Sequence, residues 1–296
     1  MEFKIFESSD TNVKKFVFEW AKPKGIAEAV LYRYEEYKKR TVICCSVQSG
    51  CPIGCSFCGT GRFFIRNLDA FEIVEQVDTV LSTIDCDTKD IEKFQIMFMS
   101  MGEPFLNYSN LELAIMFLNN KYKNAQLLVS TSAPTTLKEY ITPFLLLAKK
   151  IDKVGLQFSV HESTNEARKK LIPTETSTLK QIALYGRLFA EYVERKPFFN
   201  YCVHEGNSSQ EDVNRLAEIF NPDIWEVTLS VICEKDETVH NSIQRQLDLI
   251  KDFNQKMMNA GFSTRVFNPA GQDDIGGGCG QLWYFQEWLK NRGKEK

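Results

Sequence analysis

From residue 41 onward, short apolar runs alternate with stretches whose apolar positions recur every three or four residues. The runs occupy 42–47, 94–99, 126–130, 155–160, 198–203, 227–232 and 264–267. Such short, nearly continuous apolar segments suit strands covered on both faces. The intervening stretches read as amphipathic helices over 111–120, 136–148, 178–194, 211–220 and 242–260. Another helix begins at Asp69, which with Glu72 makes an approximate capping box ahead of Ile73, Val74 and Val77. The order is β-α repeated about six times. It predicts an α/β fold with a parallel sheet and outer helices, a partial (β/α)6 barrel. Residues 1–40 are less regular: Lys22-Pro23-Lys24-Gly25 reads as a turn and 26–34 as an added strand.

In such folds ligands gather at the carboxyl ends of the strands. The distinctive polar residues fall there: cysteines after the first run, Met101-Gly102-Glu103-Pro104 after the second, Ser130-Thr131-Ser132 at the third, and Ser159-Val160-His161 at the fourth. Four motifs on one rim imply a single active site.

Composition narrows the setting. The 296 residues are 43% hydrophobic with 22 phenylalanines, enough for one large core. The net charge of −3 excludes a strongly basic surface, so a nucleic-acid substrate has to be argued from the site. Lys38-Lys39-Arg40, and Lys290, Arg292, Lys294 and Lys296, read as solvated charge runs. No stretch reaches the roughly 20 apolar residues of a membrane span, and the N-terminus lacks a signal peptide's apolar region. The expectation is a cytoplasmic protein whose nine cysteines are thiols or metal ligands.

Cys51, Cys55 and Cys58 place three thiols within eight residues. Iron–sulfur cubanes use thiolates and normally take four. Three leave one iron open to chelate the amino and carboxylate groups of S-adenosylmethionine (SAM). Zinc sites usually add a second cysteine pair downstream, and none is present. C-x3-C-x2-C with an aromatic before the last cysteine is the radical SAM signature.

With these residues in view, the chain resembles the radical SAM RNA methyltransferases that attach a methyl group to an adenosine carbon, C2 in the rRNA/tRNA enzymes and C8 in the Cfr-like ones. The resemblance runs from Glu28 to Leu282. It rests on Cys44 followed by Gln48-Ser49-Gly50-Cys51, the cluster loop, Arg66-Asn67-Leu68, Met99-Ser100-Met101-Gly102-Glu103-Pro104, Ser130-Thr131-Ser132, Phe158-Ser159-Val160-His161, and Asp273-Asp274-Ile275 leading to Cys279-Gly280-Gln281-Leu282, all in order.

The resemblance implies one [4Fe-4S] cluster on Cys51, Cys55 and Cys58. It implies SAM contacts from Gly102, Glu103, Ser130, Ser159, Val160 and His161. It implies catalytic roles for Cys279, Cys44 and Glu28, an RNA substrate, and an electron donor such as flavodoxin or ferredoxin. By this route one SAM methylates Cys279. A second SAM, cleaved reductively, gives a 5′-deoxyadenosyl radical that takes hydrogen from that methyl, and the carbon radical adds to the base. Glu28 then removes a proton, and the Cys44 thiolate attacks sulfur, freeing the product as a disulfide forms. The flanking Gly276-Gly277-Gly278 and Gly280 suit a swinging nucleophile at Cys279. Cys86 and Cys202 read as structural, His204 and His240 as ordinary histidines, and Phe63, Phe64 and Trp283 as packing residues able to stack on a base.

Three departures bear on the substrate. There is no room for the family's separate N-terminal RNA-binding domain, so the chain reads as a short member. Cys233 stands where the family has a SAM-contacting asparagine. The residues before Cys279 are three glycines, more flexible than is usual in the family; separately, the Glu28–Cys44 spacing differs by a few residues, which bears on the match of Glu28. The expected organisation is an extension over 1–40, a radical SAM core over 41–285 and a polar tail over 286–296. Two alternatives stay open. One is the same cysteine relay acting on a non-ribosomal substrate, such as a nucleoside-like metabolite or peptide. The other is a non-catalytic iron–sulfur or zinc nucleic-acid-binding module.

Overall fold

The computed structural model describes residues 1–61, 63–231, 243–267 and 275. These fall into two compact units. The first comprises Met1–Gly54 and Cys58–Val129, and the second Cys55–Phe57 and the described residues from 130 onward to 267.

The first unit opens with four antiparallel strands: β1 (Glu2–Glu7), β2 (Val13–Trp20), β3 (Gly25–Arg33) and β4 (Arg40–Cys45). The expected strand over 26–34 is β3, and 21–24 is the expected turn. The strands β1 and β2 are additional. Phe16, Phe18 and Trp20 line one face of β2 with ring centroids 6.3 and 6.0 Å apart, and Phe3 of β1 stacks beside them. The opposite face carries Lys15, a buried departure from the apolar rule.

A small antiparallel ribbon follows, β5 (Gln48–Gly50) with β6 (Phe64–Asn67). Next come α1 (Ala70–Leu81), β7 (Lys93–Phe98), α2 (Tyr108–Lys121) and β8 (Gln126–Thr131), with β4, β7 and β8 parallel. The capping box at α1 is complete: Asp69 accepts from the Glu72 backbone N–H, and the Glu72 carboxylate accepts from the Asp69 N–H. The helix then buries Ile73, Val77 and Val80 fully, each contributing about 1.5–3 kcal/mol.

The second unit contains α3 (Leu137–Lys150), β9 (Val154–Ser159), α4 (Asn165–Leu171), α5 (Leu179–Val193), β10 (Phe198–Val203), α6 (Gln210–Ile219), β11 (Glu226–Val231), α7 (Ile243–Asn259) and β12 (Ser263–Phe267). Strands β9 to β12 pair in parallel, each with the next. Phe158, Phe199, Phe220 and Trp225 form its aromatic core, with Phe199 and Phe220 4.9 Å apart. Every expected helix and strand is present within a few residues, and α4 was not expected. The result is the mixed α/β architecture with mostly parallel strands that the periodicity predicts. No helix among the described residues is long and apolar enough to cross a membrane.

Candidate functional site

The first unit assembles its chemistry where β4 and β7 end, beside the first half of antiparallel β3. In the β3–β4 ladder Val30 lies opposite Cys44, and Glu28 is two residues from Val30, so Glu28 and Cys44 share a face. The residues between the paired segments, 34–39, form a turn outside the ladder. Strand alternation sends neighbouring Cys45 to the other side. There its Sγ donates to the Met97 carbonyl at 3.7 Å, and burial pushes its thiol pKa up.

Glu28 is completely buried, and its backbone is clamped. Its carbonyl accepts from Ser46 Oγ at 2.6 Å and Ser100 Oγ at 2.7 Å. Its N–H donates to Ser46 Oγ at 3.3 Å. The same hydroxyl accepts the Met101 N–H at 3.1 Å. Gln76 of α1 brackets Ser46, accepting its N–H and donating to its carbonyl. One serine thus ties Glu28 to the start of the Met101-Gly102-Glu103 turn.

That turn depends on glycine. Gly102 has φ +98°, and a Cβ there would lie 2.5 Å from Gln48 Cβ. Gln48 Oε1 accepts the Glu103 N–H at 2.8 Å, and Gln48 Nε2 donates to Asn67 Oδ1. Glu103, 3% exposed, accepts the Phe105 N–H at 3.1 Å. Asn107 closes the cradle by donating to the carbonyls of Val47 and Leu68.

The cysteine loop begins beside this turn. Gly50, at φ +81°, brings the chain against Phe63, whose carbonyl would sit 1.9 Å from an added Cβ. Cys51 donates its N–H to that carbonyl at 2.7 Å. Burial raises the Cys51 thiol to about 12, and the charges of Cys58 and Glu103 push the same way. The backbone N–H groups of Ile53 and Gly102 at its sulfur pull it back. Donors aimed at a buried sulfur fit a thiolate ligated to a cationic group, since ligation ionises the thiol that burial keeps neutral. The surroundings of Cys51 therefore fit a cluster ligand. Among the described residues no group of three or more His, Cys, Asp or Glu side chains is gathered to hold a metal ion. All seven described cysteines are reduced thiols. Phe63 and Phe64 stand 51% and 47% exposed rather than packed inside.

Cys55, Ser56 and Phe57 belong to the second unit. Ser56 donates its N–H to the Leu171 carbonyl, and the Phe57 ring meets His161 edge-on at 5.3 Å. His161 is buried with φ +60°, and its Nδ1 accepts the Cys202 N–H at 3.2 Å. Burial, Arg168 and His204 lower its pKa to about 3. Val160 and His161 both donate their N–H to the Asn200 carbonyl. Arg168 of α4, 2% exposed, donates to the carbonyls of Ser132 and Ser159, pinning both strand ends. His204 is partly buried and paired with Glu162 at 2.9 Å.

One face of this sheet is polar, which the sequence reading missed. Gln157 Nε2 donates to Ser130 Oγ at 3.2 Å, and Thr228 Oγ1 donates to Gln157 Oε1 at 3.3 Å. Ser230 Oγ donates to Asn200 Oδ1 at 3.0 Å and lies 3.3 Å from Cys202 Sγ. The available signal was a polar residue at alternate positions of each buried run. Cys279, Cys233, His240, Trp283, Asp273 and Asp274 lie outside the described residues.

No protein-family model matches the chain. Individual proteins do. The probable dual-specificity RNA methyltransferase RlmN of Pseudothermotoga lettingae is 33% identical over 279 residues, covering 93% of this chain and 77% of that protein. The ribosomal RNA large subunit methyltransferase N of Nitrosopumilus maritimus is 30% identical over 286 residues, 93% of this chain and 78% of that protein. Among solved structures, a radical SAM methyltransferase from Sphaerobacter thermophilus superposes with a TM-score of 0.74 at 25% identity, over 94% of this chain and 79% of its own. The SAM-bound SuiB of Streptococcus suis shares the fold, with a TM-score of 0.50 at 16% identity over 80% of this chain and 48% of its own. With a third of its positions shared across most of both chains, this protein belongs to the RlmN family of radical SAM methyltransferases.

Proposed function

We propose that the chain transfers a methyl-derived carbon through Cys279 to a carbon of adenosine, C2 or C8, in a cytoplasmic RNA. As a radical SAM methyltransferase it uses a [4Fe-4S] cluster and SAM, with flavodoxin or ferredoxin proposed as electron donor. Cys51, Cys55 and Cys58 hold the cluster, which when bound supplies the electron that cleaves SAM. Gly102 and Glu103 take the SAM amino group, and Ser130, Ser159, Val160 and His161 contact the rest of it. Cys279 carries the one-carbon unit, Glu28 accepts the proton from the base, and the Cys44 thiolate attacks the Cys279 sulfur to release the product. Antiparallel strands before residue 40 support reading 1–40 as an extension of a core over 41–285, with 286–296 a tail.

The observation that carries this reading is the shared face of Glu28 and Cys44, held by Ser46 next to the Met101-Gly102-Glu103 turn. A base and a thiol on one face suit a reaction that removes a proton and then breaks a carbon–sulfur bond. Exposed Phe63 and Phe64, next to the cysteine loop, suit stacking on a nucleobase. The test is mass spectrometry of RNA after anaerobic reaction with methyl-labelled SAM. Label in a methyladenosine is the expected result. Label in no RNA pool but in a peptide or free nucleoside would overturn the RNA reading.

A further inference from the structure

Glu28 does not stand alone in its burial. Lys15, on the neighbouring strand β2, is 2% exposed, and its Nζ lies 3.5 Å from Glu28 Oε2, itself on a side chain with no exposure. The register explains the meeting. Lys15 is opposite Val30 across β2–β3 and Val30 is opposite Cys44 across β3–β4, so Lys15, Glu28 and Cys44 share one face. The Phe6 ring covers the ammonium at 6.0 Å. Lys15 is on none of the motifs by which the chain was recognised.

Two charges shut away from water are unusual. A carboxylate buried without a partner takes up a proton, and a protonated acid cannot act as a base. We propose that Lys15 is the positioning residue of the Glu28 base: its ammonium keeps the carboxylate ionised in a water-free site and holds it on the face it shares with Cys44. The proposal rests on Glu28 being the proton acceptor. Burial lowers the lysine's pKa, and the charge and hydrogen bond of Glu28 beside it offset part of that shift. The other titratable or charged groups on this face of β1 to β4 are Glu2 and Lys4 of β1, Glu19 of β2, Tyr32 of β3, and Arg40 and Cys44 of β4, with Glu2 exposed and Arg40 half-buried. Lys4 is exposed and Glu19 half-buried, so water screens both, whereas Lys15 is as dry as the carboxylate it faces.

The first readout needs no cluster and no turnover. Infrared spectra of the full chain with isotope-labelled glutamate, subtracted from those of Glu28→Gln, isolate the Glu28 band. In the unaltered protein at pH 7 it should be that of a carboxylate, and a protonated carboxyl band there would overturn the proposal outright. Lys15→Met should convert it to the protonated form, and Lys15→Arg should restore the carboxylate. Should Lys15→Met fail to fold, Lys15→Gln, which keeps a hydrogen bond and removes the charge, replaces it. In the cluster-loaded enzyme the pH midpoint of product release should rise by about one to three units in the neutral variant and return with arginine. A charge-neutral variant with an ionised Glu28 band and an unmoved midpoint would refute the role of Lys15. Glu28→Gln separates the two claims. Full turnover by that variant would remove Glu28 as base, whereas an inactive Glu28→Gln beside a normal pH profile in the Lys15 variant would remove only Lys15.

Discussion

Removing a single hydroxyl, by Ser46→Ala, tests how firmly Glu28 and the Met101-Gly102-Glu103 turn are joined. Ser46 is fully buried, and its Oγ serves three backbone groups. The Glu28 carbonyl would keep Ser100 at 2.7 Å, so its loss is small. The N–H groups of Met101 and Glu28 would lose their acceptor in a place water does not reach. Each orphaned donor costs about 1–3 kcal/mol, and the 3.3 Å bond to Glu28 belongs at the low end, so the sum is about 2–4 kcal/mol. The change deletes one atom and leaves a cavity smaller than a methyl group, so packing adds little. Hydrogen exchange read by mass spectrometry is the suitable assay because it reports local opening. Peptides containing Glu28 and Met101 should exchange roughly 30- to 1,000-fold faster in the variant, the range that energy corresponds to, with α7 unaffected. SAM affinity should fall alongside. Exchange within three-fold of the parent at both peptides would mean that water or a shifted loop replaces the hydroxyl and that the link is not structural.

Other outcomes follow from the same geometry. Glu103→Gln keeps an acceptor for the Phe105 N–H but removes the charge, so the turn should survive while SAM binding by calorimetry weakens by about 1.5–3 kcal/mol; unchanged affinity would take Glu103 out of the site. Cys44→Ala should leave addition to the base intact but block release, so denaturing purification should bring down RNA joined to Cys279, and normal turnover would sink the thiol relay. His161 accepts at Nδ1 and stays neutral in the folded chain to about pH 3. Below its unfolded pKa of about 6.5 the unfolded state binds a proton the folded state refuses, so stability should fall by about 1.4 kcal/mol per pH unit as pH drops from there. His161→Gln retains the acceptor, and urea midpoints from pH 6.5 to 4 should show the slope only in the parent; parallel slopes would contradict the assignment.

What could be read in advance was whatever is local along the chain. Asp69 and Glu72 announce α1 because a capping box lies within four consecutive residues. The parallel strands announce themselves because they are buried on both faces. Strand β1 was missed since its Phe3 and Ile5 remain 44% and 45% exposed and its charges break the apolar pattern. Helix α4 was missed because its seven residues carry few apolar side chains, and it is anchored by Arg168 on distant carbonyls rather than by an apolar stripe. The Lys15–Glu28 pair exists only through cross-strand register, which no spacing along one strand reveals. The cysteine loop and the Gly102-Glu103 turn were legible because backbone constraints and thiol chemistry demand particular residues in sequence.

The hydrogen-bonded face of Gln157, Asn200, Thr228 and Ser230 has a consequence for anything that settles against it. Both polar atoms of Gln157, the hydroxyls of Thr228 and Ser230, and Asn200 Oδ1 already hold partners. A ligand that engages those atoms swaps bonds, breaking one protein–protein contact for each it makes. Such swaps are nearly balanced in free energy, as folding itself is when it trades water for protein partners. A ligand analogue missing one polar atom would then be penalised little, because the abandoned side chain recloses on its neighbour. Discrimination on this wall falls to shape and to the fixed backbone at Arg168, where the geometry cannot close up behind a missing group.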